Sequence, residues 1–349
     1  MKNKIGIICV GQAGGNLGVL LKNQKFDVAF INSSKGDLDT LKVVNENEKY
    51  HITDGLGCAK ERDTAKKIAQ KDFNNINNFL NSSLGEKDFY YIAFSSGGGT
   101  GSGISPVLAD ILTTHLSKKV GLITILPSKN DTLQAHINAY ECLQEVSNLK
   151  NICSIFFIDN NKNNNISYIN EKFASLFSKI FDYKKFETNK GNIDEAEILK
   201  LLETKGMISI GSCSNEKTTA KLIENIKEGI FAPLENDRKI KYLGLSKGIK
   251  FDEDLFNKEI GKYLDKFENT NKEYTLAILS GLTLPFKRVK DMKDKILVEK
   301  ETILSFENET EQQLEDIEFL TKKVPTKEEN SSIEKQKLDV NDLFAQYLN

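Results

Sequence analysis

No run of apolar residues in this 349-residue chain approaches the ~18 that a membrane-spanning helix needs, so no span is expected. Neither sign of charge is in excess. Lys and Arg number 48 against 50 Asp and Glu, a formal net charge of −2. That balance argues against a surface built mainly to hold nucleic acid, and any link to DNA should be indirect. The five cysteines (Cys9, Cys58, Cys142, Cys153 and Cys213) show no CxxC spacing, which excludes a zinc ribbon and gives no disulfide framework. A reducing cytosol fits. The start, Met1-Lys2, runs into a short strand with no cleavable signal, so a soluble cytoplasmic protein is expected. No internal repeat is visible. What is abundant is Asn and Lys, as in Asn160 to Asn165 broken only by Lys162, a pattern read as compositional bias.

The length exceeds one ordinary core and suits two unequal domains plus a tail. Ile5 to Val10 is an apolar run closed by glycines, followed by a helical stretch from Asn16 to Asn23 and a second strand from Phe26 to Ile31. Further strand-like runs at Phe89 to Phe94, Val120 to Leu126 and Ile152 to Ile158 alternate with helical segments at Ile104 to Leu116 and Leu133 to Leu149. Alternation of this kind predicts an α/β fold, a doubly wound and mostly parallel sheet with its ligands beyond the carboxyl ends of the strands. Ile169, Phe173, Leu176, Phe177 and Ile180 recur at three/four spacing and predict a long central helix. Apolar runs at Met207 to Ile210, Ile240 to Leu245 and Tyr274 to Leu279, around a helix from Thr218 to Ile230, predict a smaller α/β C-terminal domain. Beyond about Lys300 the chain turns rich in Glu and Lys, a helical or disordered tail whose last residues regain helical spacing at Leu343, Phe344, Tyr347 and Leu348.

Ser95-Ser96-Gly97-Gly98-Gly99-Thr100-Gly101-Ser102-Gly103 stands between an apolar strand and a helix. Glycines there let successive backbone N–H groups turn toward one anion, and the helix N-terminus adds positive potential. Thr100 and Ser102 add hydroxyls. The alternative is a flexible glycine linker, which the tight flanking strand and helix disfavour. A Walker loop is excluded for want of GK[ST], and Gly11-Gln12-Ala13-Gly14-Gly15-Asn16 matches a dinucleotide fingerprint poorly.

The stretch Gly97 to Gly103 resembles the signature of the tubulin/FtsZ superfamily, and Gly11 to Asn16 resembles that family's first nucleotide loop. The resemblance implies GTP or GDP with Mg²⁺, the phosphates lying on Gly11, Gln12 and Ala13 and on Gly98, Gly99, Thr100 and Gly101, with Asn16 and Ser102 also among the nucleotide-binding residues. Asn32-Ser33 is similar to the second loop, and Gly55-Leu56-Gly57-Cys58-Ala59 to the third, which senses the γ-phosphate. Asn amides can read the guanine edge through both donor and acceptor, a role the resemblance gives to Asn160 and Asn170. Asp131 falls where the FtsZ branch has an acidic ribose contact. Ala135 lies near the place of that branch's phosphate-binding arginine, which is therefore absent here. No metal ligand is assigned, the ion being held mainly by phosphates and water.

Gly191-Asn192-Ile193-Asp194-Glu195-Ala196-Glu197 opens a helix after the central one, with Asp194 and Glu197 on one face. Helix capping explains the spacing structurally. It is also similar to the family's NxDxx[DE] loop, which enters the neighbouring subunit's pocket and aims water at the γ-phosphate. By that resemblance Asn192, Asp194 and Glu197 are catalytic in trans, and the chain is a polymerising GTPase. Gly206 to Ser212 resembles the start of the activation domain, so the likeness spans about residues 5 to 285. It implies a GTP-binding domain over 1–165, a central helix over 166–190, an activation domain over 191–299 and a C-terminal helix and tail over 300–349. Within the superfamily the chain looks most like the plasmid- and phage-encoded TubZ branch, whose filaments move DNA through an adaptor. Leu343, Phe344, Tyr347 and Leu348 are then a candidate adaptor-docking face. The alternatives weighed are an FtsZ-like cell-division GTPase and, from another class, a Rossmann-type NAD(P) oxidoreductase.

Overall fold

Runs of Ile, Val and Phe with no polar alternation must be covered on both faces, and they form the centre of one large sheet. In the computed structural model, residues 1–182, 192–236, 239–248 and 250–315 are described, with side chains to residue 303. The chain opens β1 (Ile5–Val10), α1 (Gly11–Asn23), β2 (Asp27–Asn32), α2 (Lys35–Asp39) and β3 (Lys49–His51). It continues through α3 (Arg62–Lys71), α4 (Phe73–Leu84), β4 (Phe89–Ser95), α5 (Thr100–Asp110), β5 (Val120–Leu126), α6 (Leu133–Asn148) and β6 (Ser154–Asp159). After α7 (Ile166–Ile180) come α8 (Glu195–Glu203), β7 (Gly206–Ser214), α9 (Thr219–Lys227), β8 (Ile240–Lys247), α10 (Glu253–Ile260), β9 (Tyr263–Thr270), β10 (Tyr274–Leu282) and α11 (Phe286–Glu315).

The ten strands lie in the order β3-β2-β1-β4-β5-β6-β7-β10-β8-β9. Pairing is parallel from β3 to β7, antiparallel on both sides of β10, and parallel again at β8–β9. The second half of the chain thus extends the first half's sheet through the short β6–β7 register, Ser154 opposite Gly206 and Ile155 opposite Met207. Every residue of β1 and β5 is buried.

Helix α1 begins at Gly11 rather than near Asn16, so the first glycine loop is itself the opening turn of the helix. Gly14 explains the fit: a Cβ there would stand 2.3 Å from the carbonyl oxygen of Ala93 on β4. Glycine costs helix stability locally, and the close seat on the sheet outweighs that cost.

The expected face of α7 is buried throughout, at Ile169, Phe173, Leu176, Phe177 and Ile180. Phe173 and Phe177 stack with centroids 5.6 Å apart, Phe177 meets Tyr91 edge-on at 5.4 Å, and Phe173 meets Phe156 edge-on at 5.4 Å. These aromatic contacts fix α7 to β4 and β6. On α11, Arg288 binds the buried Asp159 carboxylate at 3.0 Å and the Pro127 carbonyl at 2.5 Å, tying the C-terminal helix to the ends of β5 and β6.

Because β1, β2, β4, β5 and β6 run parallel, their carboxyl ends share one rim of the sheet, and everything following them gathers there.

Candidate functional site

On that rim, Gly11, Gln12 and Ala13 at the start of α1 face Gly98, Gly99, Thr100 and Gly101 at the start of α5 across a cavity of about 390 Å³. Helices α1 and α5 have no acidic residue in their first turns and no side-chain cap, so their leading N–H groups are free for an anion. The turn after β2 supplies Ser33, Ser34 and Asp37, and the loop before α3 supplies Gly57, Cys58, Ala59 and Lys60. Ser33 Oγ and Thr100 Oγ1 are 2.7 Å apart, and Cys58 Sγ donates to Ser33 Oγ at 3.2 Å, which welds three of the loops together. Beneath them Arg62 binds Glu141 at 3.2 Å, Glu145, and the Ser102 carbonyl at 3.2 Å. Lys66 binds Glu145 at 2.8 Å.

A second cavity of about 420 Å³ adjoins along α1, since Asn16 in its wall is one turn beyond Gln12. Val19, Leu20, Leu41 and Val43 give it apolar walls, and Asn170 of α7 completes it. Asn170 is buried and, among the described residues, its Oδ1 has no hydrogen-bond partner, which leaves an acceptor for a donor outside the chain. Apolar side chains beside the carboxamides of Asn16 and Asn170, with Lys42 and Glu171 also in the wall, suit a nucleobase that carries ring and exocyclic N–H groups.

The expected residues fall into groups. Gly11, Gln12, Ala13, Ser33, Gly57, Cys58, Ala59, Gly98, Gly99, Thr100 and Gly101 line the first cavity. Asn16 and Asn170 line the second. Asn32, Ser102, Asp131 and Asn160 line neither. Asn32 accepts from Ser34 N and donates to Asp37, each at 3.1 Å, shaping the turn after β2. The Ser102 hydroxyl donates to the Gly98 carbonyl. Asp131 accepts from Ser128 N at 2.7 Å and folds its own loop. Asn160 sits beyond β6 with its N–H on the Leu126 carbonyl, and its buried Oδ1 has no partner among the described residues. Leu343, Phe344, Tyr347 and Leu348 lie outside the described residues.

Sequence reasoning missed Ser34, Asp37, Lys60 and Asn138. Ser34 and Asp37 carried a signal, the Ser-x-x-Asp of a helix start, and Ser34 does accept from Asp37 N. Asn138 carried none. Its buried amide donates to the carbonyls of Lys60 at 2.7 Å, Gly98 at 3.2 Å and Gly97 at 3.4 Å, clasping two loops of the cavity.

The remaining acids lie elsewhere. Asp194 is the N-cap of α8, its Oδ1 accepting from Glu197 N at 2.8 Å while Glu197 Oε2 accepts from Asp194 N at 3.0 Å. Glu195 pairs with Lys4, the residue just before β1, whereas the first cavity begins at Gly11, just after β1. Six residues of strand at ~3.3 Å each put α8 roughly 20 Å from the cavity, on the opposite rim. Within one chain the two carboxylates do not meet that cavity. Asn192 is exposed beside them.

The Tubulin/FtsZ family GTPase-domain model matches residues 4–168. Over the whole of both chains the sequence is 29% identical to the tubulin-like protein TubZ of Clostridium botulinum C phage. It is 28% identical to the tubulin-like protein CetZ of Pyrococcus abyssi over 66% of each chain. Among solved structures, TubZ of Clostridium botulinum phage c-st superposes with a TM-score of 0.78 at 27% identity, over 86% of this chain and 100% of that one. A GTPγS-form protofilament of TubZ from Bacillus thuringiensis serovar israelensis shares the fold, with a TM-score of 0.71 at 19% identity over 87% and 94% of the two chains.

Proposed function

Residues 4–168 match the tubulin/FtsZ family GTPase-domain model, and we propose that this chain belongs to that family, stacks head to tail and hydrolyses GTP between subunits. The observation that carries the reading is the separation of Asp194 and Glu197 from the phosphate cradle by the full height of the sheet. A repeat along that axis sets the α8 rim of one copy on the cradle rim of the next, an open heterologous contact that generates a filament. The Bacillus relative with this fold forms protofilaments in its crystal.

In this reading the N–H groups of Gly11 to Ala13 and Gly98 to Gly101 hold the phosphates, and Asn16 and Asn170 hold the guanine. The neighbour's Glu197 orients the attacking water. Asp194 fixes the geometry of that carboxylate through their shared cap. Phosphoryl transfer needs an aligned water and charge neutralisation more than covalent help. Mg²⁺, bound through phosphate and water, would supply the neutralisation. Among the described residues no group of three His, Cys, Asp or Glu side chains forms a metal cage, and Asp37 is the one carboxylate in the cavity wall, which fits an ion held chiefly by the nucleotide.

The end-to-end similarity to a phage-encoded relative supports a role in positioning plasmid or phage DNA. The near-neutral charge favours contact through an adaptor, with the C-terminal residues as its docking segment. The proposed division is a GTP-binding domain over 1–165, a segment over 166–190 that carries the central helix α7 (Ile166–Ile180), an activation domain over 191–299 within which α11 begins at Phe286, and a C-terminal segment over 300–349.

The test is the GTPase rate per subunit as protein concentration rises through the micromolar range, with light scattering alongside. The expected outcome is a joint rise above a critical concentration. Glu197→Gln, which keeps the cap because Gln accepts at that position as Glu does, should assemble yet hydrolyse roughly a hundredfold more slowly. A flat rate per subunit with an unaffected variant would sink the proposal.

A further inference from the structure

We infer that Lys60 is the side chain that neutralises the terminal phosphates of the bound nucleotide, standing in for the loop arginine this chain lacks near Ala135. The inference rests on the guanine-nucleotide reading above. Among the described residues lining the phosphate cavity, Lys60 is the only cation and Asp37 the only carboxylate. A nucleotide brings several negative charges into that space, and backbone N–H groups offset them only in part.

The placement of Lys60 is built. Ala59 and Lys60 both adopt left-handed backbone, at φ +46° and +65°. Residues with a Cβ reach that region only against steric strain, so two in succession persist only where the surroundings hold them. The holding group is the Asn138 amide, buried and fixed by Gln134 Nε2 at 2.9 Å, which binds the Lys60 carbonyl and those of Gly97 and Gly98 at once. Gly99 completes the clasp, since a Cβ there would lie 2.9 Å from the Lys60 Cα and carbonyl carbon. The segment carrying Lys60 is therefore locked to the glycine loop.

Its side chain is not locked. Lys60 is exposed, and Nζ donates at 3.3 Å to the hydroxyl of Thr132, the N-cap of α6. Among the described residues it pairs with no carboxylate, unlike Lys66 one turn into α3, which binds Glu145. A neutral, solvent-exposed hydroxyl is a weak tether for an ammonium. A phosphate oxygen adds the attraction of opposite charges to the hydrogen bond, and the four-carbon stem lets Nζ move to it.

The experiment is isothermal titration of the nucleotide-free full chain, below its assembly concentration, with GTP and with GDP. Wild type is compared with Lys60→Met and Lys60→Arg, and the melting temperature of each nucleotide-free protein is recorded. The expected result is that Lys60→Met weakens GTP by about tenfold or more and GDP by less, that Lys60→Arg stays within about threefold of wild type, and that melting is unchanged. Rescue by Arg separates charge from shape. If Lys60→Met binds GTP as wild type does, or Lys60→Arg is as weak as Lys60→Met, Lys60 serves only to tether the loop to Thr132 and the inference is overturned while the guanine reading survives. If the wild type binds neither nucleotide, both fall.

Discussion

At the scale of single residues, the parts of the site built from backbone were legible and the parts built from side chains reaching across the fold were not. Gly98 to Gly101 announce themselves because chemistry demands the absence of a side chain next to a strand and a helix. Lys60 and Asn138 did not, because an isolated Lys or Asn in an Asn- and Lys-rich chain carries no pattern, and their roles arise from which loops meet. Asn160 shows the converse: its place after a strand suited a base contact, yet its side chain lines neither cavity. Gly14 was read as part of a nucleotide loop, and its structural duty is the close seat of α1 on Ala93. Gly14→Ala forces helix and sheet apart at a backbone oxygen that cannot rotate away. The expected loss is about 1–3 kcal/mol by urea unfolding, with the m-value unchanged. A loss below about 0.5 kcal/mol would mean that α1 can slide without cost.

At the scale of elements, legibility followed the source of the burial. Helix α7 was readable because its buried face is aliphatic and aromatic. Helix α3 escaped notice because its buried face includes Arg62 and Lys66, satisfied by Glu141 and Glu145 of α6, so charge replaced the hydrophobic period. Strand β9 escaped because it is an edge, with charged Asp265, Lys266 and Glu268 where an inner strand would alternate. The seam between α6 and α11 was equally hidden. There the buried His136 Nε2 lies 3.1 Å from Lys295 Nζ, and an ammonium can only donate, so the imidazole accepts and is neutral. Burial first, then the charges of Lys295 and Arg288, hold its pKa below the ordinary 6.5, against the opposing pull of Asp131 and Glu299. The unfolded chain therefore binds a proton that the folded chain refuses, and stability is lost as pH falls below about 6.5. Melting temperature should drop between neutral pH and about pH 5.5 by more in wild type than in His136→Gln, which cannot take up that proton. Equal drops would place the acid sensitivity elsewhere.

At the scale of the whole molecule, a parallel sheet separates its two rims by the length of its strands, and this chain puts its glycine-lined cavity on one rim and its paired acids on the other. The motifs were legible one by one. Their distance was not, because only the fold fixes which rim each loop reaches. Two half-dead chains should therefore make one live site. Gly98 has open space where a Cβ would stand, so Gly98→Asp leaves the loop intact while placing a carboxylate against the phosphates. Glu197→Gln keeps the cradle and loses the acid. Alone, each variant should hydrolyse GTP poorly, the first for want of bound nucleotide and the second for want of an oriented water. Mixed in equal amounts, contacts in which a Gly98→Asp subunit offers its Glu197 to the intact cradle of a Glu197→Gln subunit are complete. The rate of the mixture should then exceed the sum of the separate rates several-fold and peak near equal proportions. A rate that never exceeds that sum would mean that each chain depends on its own acid, which the separation of the two rims does not allow, or that the α8 carboxylates do no more than cap their helix.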